Sequence, residues 1–295
     1  MADVELNPLA APVWGAAMAR HEARLGPVLD PYLAAKRRGA KDPVLDFMFE
    51  YYPFRPVWLR RWSPGVGVLL EGPGSEVFLE RHVGYVARGH GVYLEPQGIP
   101  EGRREGLRWI LALLQSTRER LPVWGCYGLH EWAMVYGLEA DAVRHAQLPL
   151  RLSPGAIAAA VDERPLSCTH YDAFRFFTPA AKPRNRHALS HANRMVHEQP
   201  GCLHANMDIY RWAFKAYPWV DSGLIADAFF LARQIRTVDM RASPYDLTAQ
   251  GLAPIAVETP AGRRQYQEYQ RHFYTAAQPL RDRLIKALEN VMARW

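Results

Sequence analysis

The sequence predicts a mainly α-helical protein with a small β element, and three observations support this fold class. Apolar residues recur at three- and four-residue intervals in several long stretches, as on one face of a helix. Glycines concentrate between residues 63 and 96, where they separate short apolar runs. Hydrophobic residues make up 49% of the 295 residues and charged residues 22%, as in ordinary globular domains. We expect one large multi-helix domain over residues 1–295, since no internal boundary can be placed.

The first helical region is predicted over residues 10–61. Its apolar stripe consists of Trp14, Met18, His21 and Leu25. Asp30 and Pro31 resemble an N-cap followed by proline at the first helical position, so we expect a helix to begin there. The dipeptide Asp42-Pro43 predicts the start of another.

Residues 63–96 are predicted to form two or three short strands joined by glycine-containing turns. Candidate strands include the apolar runs at 66–70 and 77–79. The preceding Ser-Pro-Gly-Val-Gly at 63–67 is similar to a phosphate-binding hairpin of DNA-binding proteins, but the match is weak and we interpret it as a turn.

Helical periodicity returns after this element. We expect helices at 101–121, 125–137, 154–162, 203–217 and 221–241, then a final helix of roughly 25 residues after Thr259-Pro260. Residues 145–200 are otherwise expected to be irregular.

The net charge indicates which partners the protein favours, and the cysteine content indicates its redox compartment. The net charge of +6 and pI of about 9.3 favour polyanionic partners such as nucleic acid. Cys126, Cys168 and Cys202 form no disulfide framework and no Cys-x-x-Cys pair, which predicts a reducing, cytoplasmic compartment and no structural zinc site. Neither a signal peptide nor a membrane span is predicted.

Four polar clusters lie within the otherwise apolar stretch from Trp124 to Asp246. They are centred on His130-Glu131, His170-Tyr171-Asp172, His204 to Asp208, and Asp239-Met240-Arg241. Buried histidines and carboxylates are costly unless they are paired or bound to a ligand. We therefore expect the functional site here.

The spacing of these residues leaves several chemistries open. His204 and Asp208 are four residues apart on a predicted helix, so they share a face and suit one metal ion, an acid with its orienting imidazole, or a solvated ion pair. His170 and Asp172 share a face only if the backbone is extended. His130 and Glu131 diverge on a helix, and His130 is the better candidate to face the site.

Four segments of the chain resemble a bacterial family whose members carry the label 3-methyladenine DNA glycosylase. The segments are residues 124–136, 168–179, 199–208 and 239–247, and the resemblance extends from about residue 43 to the C-terminal helix. No catalytic residues are carried over from this family.

The resemblance implies a DNA-repair hydrolase that acts in base excision without a cofactor. Such an enzyme flips an alkylated purine out of DNA into an aromatic pocket. Candidate catalytic residues are Asp208, Asp172, Asp239, His170 and His204. Candidate substrate-binding residues are Tyr127, Trp132, Tyr171, Phe174, Trp212 and Arg241. The basic segments 36–41, 60–61 and 182–186 are candidates for binding phosphates of the DNA partner.

Two alternatives remain open at this stage. One is a metal-dependent enzyme with a mononuclear or dinuclear iron or manganese centre. Its candidate ligands are His130, Glu131, His170, Asp172, His204 and Asp208. The other is a nucleic-acid-binding protein without catalytic activity, for which the basic net charge is the supporting observation.

Overall fold

The computed structural model describes residues 5–139 and 148–295 and confirms a mainly helical fold with a small sheet. The α-helices are α1 (Ala11–Arg37), α2 (Pro56–Arg60), α3 (Val77–Arg81), α4 (Glu101–Glu119), α5 (Leu129–Ala133), α6 (Pro154–Asp162), α7 (Tyr171–Phe174), α8 (Arg194–His197), α9 (Leu203–Lys215), α10 (Ser222–Ala242) and α11 (Pro260–Met292). The strands are β1 (Asn7–Ala10), β2 (Val68–Glu71), β3 (Tyr85–Arg88) and β4 (Gly91–Leu94).

The strands form one sheet in the order β1-β2-β4-β3. Strands β3 and β4 form an antiparallel hairpin, and β4 pairs antiparallel with β2. These three strands lie in the glycine-rich region, as expected. Strand β1 pairs parallel with β2 and lies outside that region. The segment 77–79, expected as a strand, belongs to the short helix α3, in which Phe78 is buried.

The N-terminal helix differs from the prediction. Helix α1 continues through Pro27 and Pro31, so the expected helix start at Asp30-Pro31 is wrong. A proline inside a helix removes one backbone hydrogen bond and costs about 3 kcal/mol. The buried residues Leu25, Leu29 and Tyr32 continue one helical stripe across this point, and their packing offsets the cost.

Residues 38–61 form less regular helix than the sequence indicates. Instead of a helix from Asp42-Pro43, there is a turn followed by a π-helical turn at Phe47–Tyr51 and the short helix α2. Asp42 accepts hydrogen bonds from the backbone N–H groups of Val44 and Leu45, which stabilises the turn.

The other helices match their predicted positions to different degrees. Helices α4, α6, α9 and α10 end within two residues of the prediction. Helix α5 is shorter than the expected 125–137, because Tyr127 and Gly128 have positive φ angles of 52° and 77° immediately before it. Helix α11 is longer, at 33 residues. The expected irregular segment 145–200 is largely irregular between short helices, and its first residues, 145–147, lie outside the described residues.

The chain forms two compact units, each made of separated stretches of sequence. The first contains the chain up to Leu114, Ile209–Phe230 and Pro279–Trp295, and it includes the sheet. The second contains Gln115–Asp208 and Leu231–Gln278. Every division between them falls inside a helix, which explains why the sequence shows no linker. Among the described residues, no helix combines the length and apolar character that crossing a membrane requires.

Candidate metal centre

The four polar clusters of the sequence come together in the interior of the second unit. Together with two arginines and a glutamate they form what we call the polar cluster, whose members are each between 1% and 8% exposed. The polar cluster consists of His130, Glu131, His170, Asp172, Arg194, Glu198, His204, Asp208, Arg236 and Asp239.

Short local structures position these side chains. Gly128, in a left-handed conformation, allows α5 to begin immediately before His130. A Cβ at residue 128 would lie 3.1 Å from both Ala242 and the Tyr266 ring, so a side chain there would crowd the helix start. Helix α9 places His204 and Asp208 one turn apart on one face, as expected from their spacing.

A first group of possible metal ligands consists of His130, His204 and Asp239. One ligand atom from each lies within 4.8 Å of the other two. His130 Nε2 is 3.0 Å from Asp239 Oδ1, the distance of a buried ion pair, although the two atoms are poorly aligned for a hydrogen bond and neither makes another one within the described residues. His204 Nε2 is 3.9 Å from Asp239 Oδ2, and the ring centres of His130 and His204 are 4.5 Å apart. Two imidazoles and a carboxylate thus converge in a buried space.

Neighbouring side chains contact the second ring nitrogen of His130 and the second carboxylate oxygen of Asp239. Cys126 Sγ lies 3.3 Å from His130 Nδ1. Arg236 Nη1 donates to Asp239 Oδ2 at 2.7 Å and to Glu131 Oε1, also at 2.7 Å. In metal sites of proteins, the second nitrogen or oxygen of a ligand is typically bound by a neighbouring group, which orients the ligand.

A second group consists of His170, Asp172 and Asp208, which also meet within 4.8 Å. Here an arginine occupies the space between the carboxylates. Arg194 donates to Asp172 at 2.8 Å, to Asp208 at 2.9 Å and to Glu198 at 2.8 Å. His170 Nε2 is 3.2 Å from Asp208 Oδ2, and its ring stacks on that of His204 at 5.2 Å. This group resembles a buried ion-pair network more than an open set of ligands.

Burial and charge act on the pKa values of the first group in opposite directions. Burial disfavours the imidazolium form of His130, but the carboxylate of Asp239 and the adjacent Cys126 hold the His130 pKa well above its usual value. Burial and the charge of His130 lower the pKa of His204 well below its usual value. The pKa of Asp239 is lowered despite burial, chiefly by His130. Asp239 is therefore ionised and His204 is neutral at pH 7.

Acidic groups outnumber basic ones in the polar cluster. Within the described residues it contains five carboxylates and two guanidinium groups, and from its edge the half-exposed Arg175 reaches Asp172 at 3.5 Å. Even with a proton on His130, negative charge remains in excess. Excess buried charge is costly, so the polar cluster favours a cation.

The predicted metal ligands divide between the two groups. His204 belongs to the first and Asp208 to the second, so this pair does not share one metal site as its spacing suggested. His170 and Asp172 were expected to share a face only in an extended backbone. They lie in the same group even though helix α7 begins at Tyr171, between them. Glu131 pairs with Arg236, which leaves His130 to face the site. Asp239, expected only as a catalytic carboxylate, completes the first group.

The predicted aromatic substrate-binding residues are dispersed. Trp132 is fully buried and donates to the Ala242 carbonyl oxygen, whereas the Tyr127 hydroxyl accepts from Gln267. Phe174 packs on Phe177, and Tyr171 lies edge-on to His191.

Two further predicted residues contact other parts of the chain. Arg241 donates from Nε to the Ala253 carbonyl oxygen and from Nη1 to the Tyr269 hydroxyl. Trp212 belongs to the first unit, where it packs against Trp109.

Several side chains of the predicted phosphate-binding segments are already paired with carboxylates. Lys36 contacts Asp46 and Glu50. Arg60 contacts Glu22 and Asp30. Arg184 contacts Asp162 at 2.6 Å. These pairs reduce the positive charge that the segments present to a polyanion.

Sequence reasoning missed Arg194, Glu198, Arg236 and Tyr266. The i,i+4 spacing of Arg194 and Glu198, and an arginine inside the apolar run of α10, were signals that could have found three of them. Burial, then the nearby Asp239 carboxylate, raise the pKa of Tyr266, so its phenol stays protonated. No sequence signal distinguishes this tyrosine.

Comparisons of the chain with protein-family models, with curated proteins and with solved structures find no match in any of the three.

Proposed function

We propose that the protein is a metal-dependent enzyme whose metal ion is bound by His130, His204 and Asp239. The observation that carries this proposal is the convergence of two imidazoles and one carboxylate, with a ligand atom of each within 4.8 Å of the others, inside a buried cluster with excess negative charge. A cation bound between these three groups reduces that excess.

The distances in the first group suit a transition metal. Two ligand atoms at about 2.1 Å from one ion and at right angles to each other lie about 3.0 Å apart. The separation of His130 Nε2 and Asp239 Oδ1 has this value. His204 Nε2 is 3.9 Å from Asp239 Oδ2, the oxygen that Arg236 also contacts, and it completes a set whose ligand atoms lie within 4.8 Å of one another.

The set of donors indicates which metals suit the site. Two imidazoles and one carboxylate, with other positions open, are typical of mononuclear iron(II) sites, and manganese(II) accepts the same donors. A bound divalent ion supplies a Lewis acid with open positions for water or substrate. His204 is the least buried of the three ligands. A metal held by these residues would require His130 in its neutral form, so metal affinity would rise with pH.

The proposal predicts that His204→Ala removes the metal. Purified protein is stripped with chelator and reloaded with iron(II), manganese(II) or cobalt(II). Metal content is then measured, together with the visible absorption of the cobalt form. We expect about one ion per chain in the native protein and loss of at least tenfold in affinity for the variant, since one of three ligands is gone.

His272→Ala is the matched control, because His272 is an exposed histidine of the same unit, on α11. Asp208→Asn tests whether the second group holds the ion instead. Retention of stoichiometric metal by His204→Ala would sink the proposal, and so would a native protein that takes up none of the three metals.

The glycosylase activity implied by the family resemblance stays a prediction. Its candidate carboxylates are buried and bound to arginines: Asp172 and Asp208 to Arg194, and Asp239 to Arg236. Release of free base from methylated duplex DNA, with and without chelator, separates the two activities. Release that resists chelator would support a metal-independent glycosylase, and release that requires metal would place the reaction at the proposed centre.

A further inference from the structure

The first unit contains a cavity of about 560 Å³ that has no role in the proposed metal centre. It lies between the N-terminal half of α4, the end of α9 and the segment around α2. A cavity of this volume accommodates a small organic ligand.

Aromatic side chains form the floor and walls of this cavity. Trp212 and Phe214 are buried at the floor, and Phe54, Trp58 and Trp109 are half-buried along the walls. Phe54 stacks on Phe214 with ring centres 4.1 Å apart, and Trp109 meets Trp212 edge-on at 5.6 Å. Such surfaces bind flat aromatic ligands by stacking and by burial of apolar area.

The rim of the cavity is positively charged. Arg103 and Lys215 are exposed at the rim, and no carboxylate of the described residues lies within ion-pair distance of either. No aspartate or glutamate is among the described residues that line the cavity. Two cations without acidic neighbours favour a negatively charged group on the ligand.

The two cations have different roles at the rim. Arg103 donates to the carbonyl oxygens of Lys215 at 3.1 Å and Tyr217 at 2.6 Å, so it also caps the end of α9. The Lys215 ammonium makes no such contact. Partial burial, then Arg211 and Arg103, lower the pKa of Lys215. A substitution of Lys215 therefore tests the rim charge while the Arg103 hydrogen bonds at the helix end keep their donor.

We propose that this cavity binds a small planar aromatic compound that carries a negatively charged group. The ring system lies against the tryptophan and phenylalanine side chains, and the anionic group lies at the rim beside Lys215 and Arg103. Every residue used here belongs to the first unit, and none is a member of the polar cluster.

The test compares two probes of nearly equal shape, naphthalene-2-sulfonate and its neutral sulfonamide. Binding to the full chain is measured by isothermal titration calorimetry in the presence of chelator, so that metal occupancy does not contribute. We expect the sulfonate to bind the native protein with a stoichiometry of one and more tightly than the sulfonamide. Lys215→Glu should weaken sulfonate binding about tenfold, since it removes one favourable charge and adds an unfavourable one.

Lys286→Glu is the matched control, because Lys286 is an exposed lysine of the same unit that lies outside both the cavity and the predicted phosphate-binding segments, and the substitution changes the net charge equally. We expect it to alter sulfonate affinity less than twofold, and Lys215→Glu to leave sulfonamide affinity within twofold. Equal affinities for the two probes would overturn the proposal. Equal effects of the two variants, or an absence of saturable sulfonate binding, would overturn it as well.

Discussion

At the scale of single residues, burial determines the charge state of several histidines. His82 in the first unit is 7% exposed, stacks on Phe78 and accepts a hydrogen bond from the Tyr217 hydroxyl. Burial, then the nearby Arg61 and Arg81, lower the His82 pKa to about 4. The folded protein therefore holds this ring neutral at pH values where the unfolded chain binds a proton.

This difference predicts a pH-dependent loss of stability. The contribution of neutral His82 is fully present above the unfolded pKa of about 6.5 and is lost as the pH falls toward the folded pKa of about 4. Between pH 7.5 and pH 5 we expect His82 to account for about 2 kcal/mol of the decrease in the free energy of unfolding.

His82→Asn is the test, because asparagine keeps an acceptor near the Tyr217 hydroxyl but does not titrate. Urea unfolding of the native protein and the variant at both pH values gives the difference. A decrease of equal size in the two proteins would show that His82 does not carry the effect.

At the scale of secondary structure, Arg236 connects helix α5 to helix α10. Its guanidinium group donates to Glu131 on α5 and to Asp239 one turn further along α10. The three groups are buried, so neither carboxylate finds a replacement in water. Breaking a buried ion pair by removing one partner is far more costly than losing an exposed pair.

Arg236→Met is accordingly expected to reduce the free energy of unfolding by about 3 to 5 kcal/mol, because Glu131 then lacks its buried cation and Asp239 keeps only His130 as a cationic partner. Chemical denaturation measures this change. Arg233→Met, on the exposed face of the same helix, is the control and should change stability by about 0.5 kcal/mol or less. The double variant that also carries Glu131→Gln should recover part of the loss. Equal stabilities of the two single variants would contradict this role of Arg236.

At the scale of the whole molecule, ion pairs weaken the local attraction of the predicted phosphate-binding segments for polyanions. Lys36, Arg60 and Arg184 belong to these segments, but each is paired with at least one carboxylate. The segments therefore present fewer unpaired cations than their sequences indicate.

We expect weak duplex DNA binding with a shallow salt dependence. The slope of log affinity against log salt, measured by fluorescence anisotropy between about 50 and 200 mM, should be smaller in magnitude than about 3. A slope of about −6 or steeper would instead indicate a DNA-binding surface with many phosphate contacts, and it would favour the nucleic-acid-binding alternative.

The sequence by itself determined the mainly helical class, the ends of helices α4, α6, α9 and α10 to within two residues, and the region of the sheet, in which it located strand β2. These features depend on apolar periodicity, glycine and proline, which act over a few neighbouring residues. It also identified the four stretches that form the polar cluster, because buried charged residues are unusual in apolar segments.

Only the tertiary structure decided which side chains meet. His130 and Asp239 are 109 positions apart in the sequence, and their convergence depends on how α5 packs against α10. The same packing assigns Glu131 to Arg236, and contacts with other segments divide His204 and Asp208 between the two groups. Burial of Leu25, Leu29 and Tyr32 offsets the cost of Pro31 within α1. Local patterns cannot encode these outcomes, because each is set by the balance of burial and pairing between distant segments.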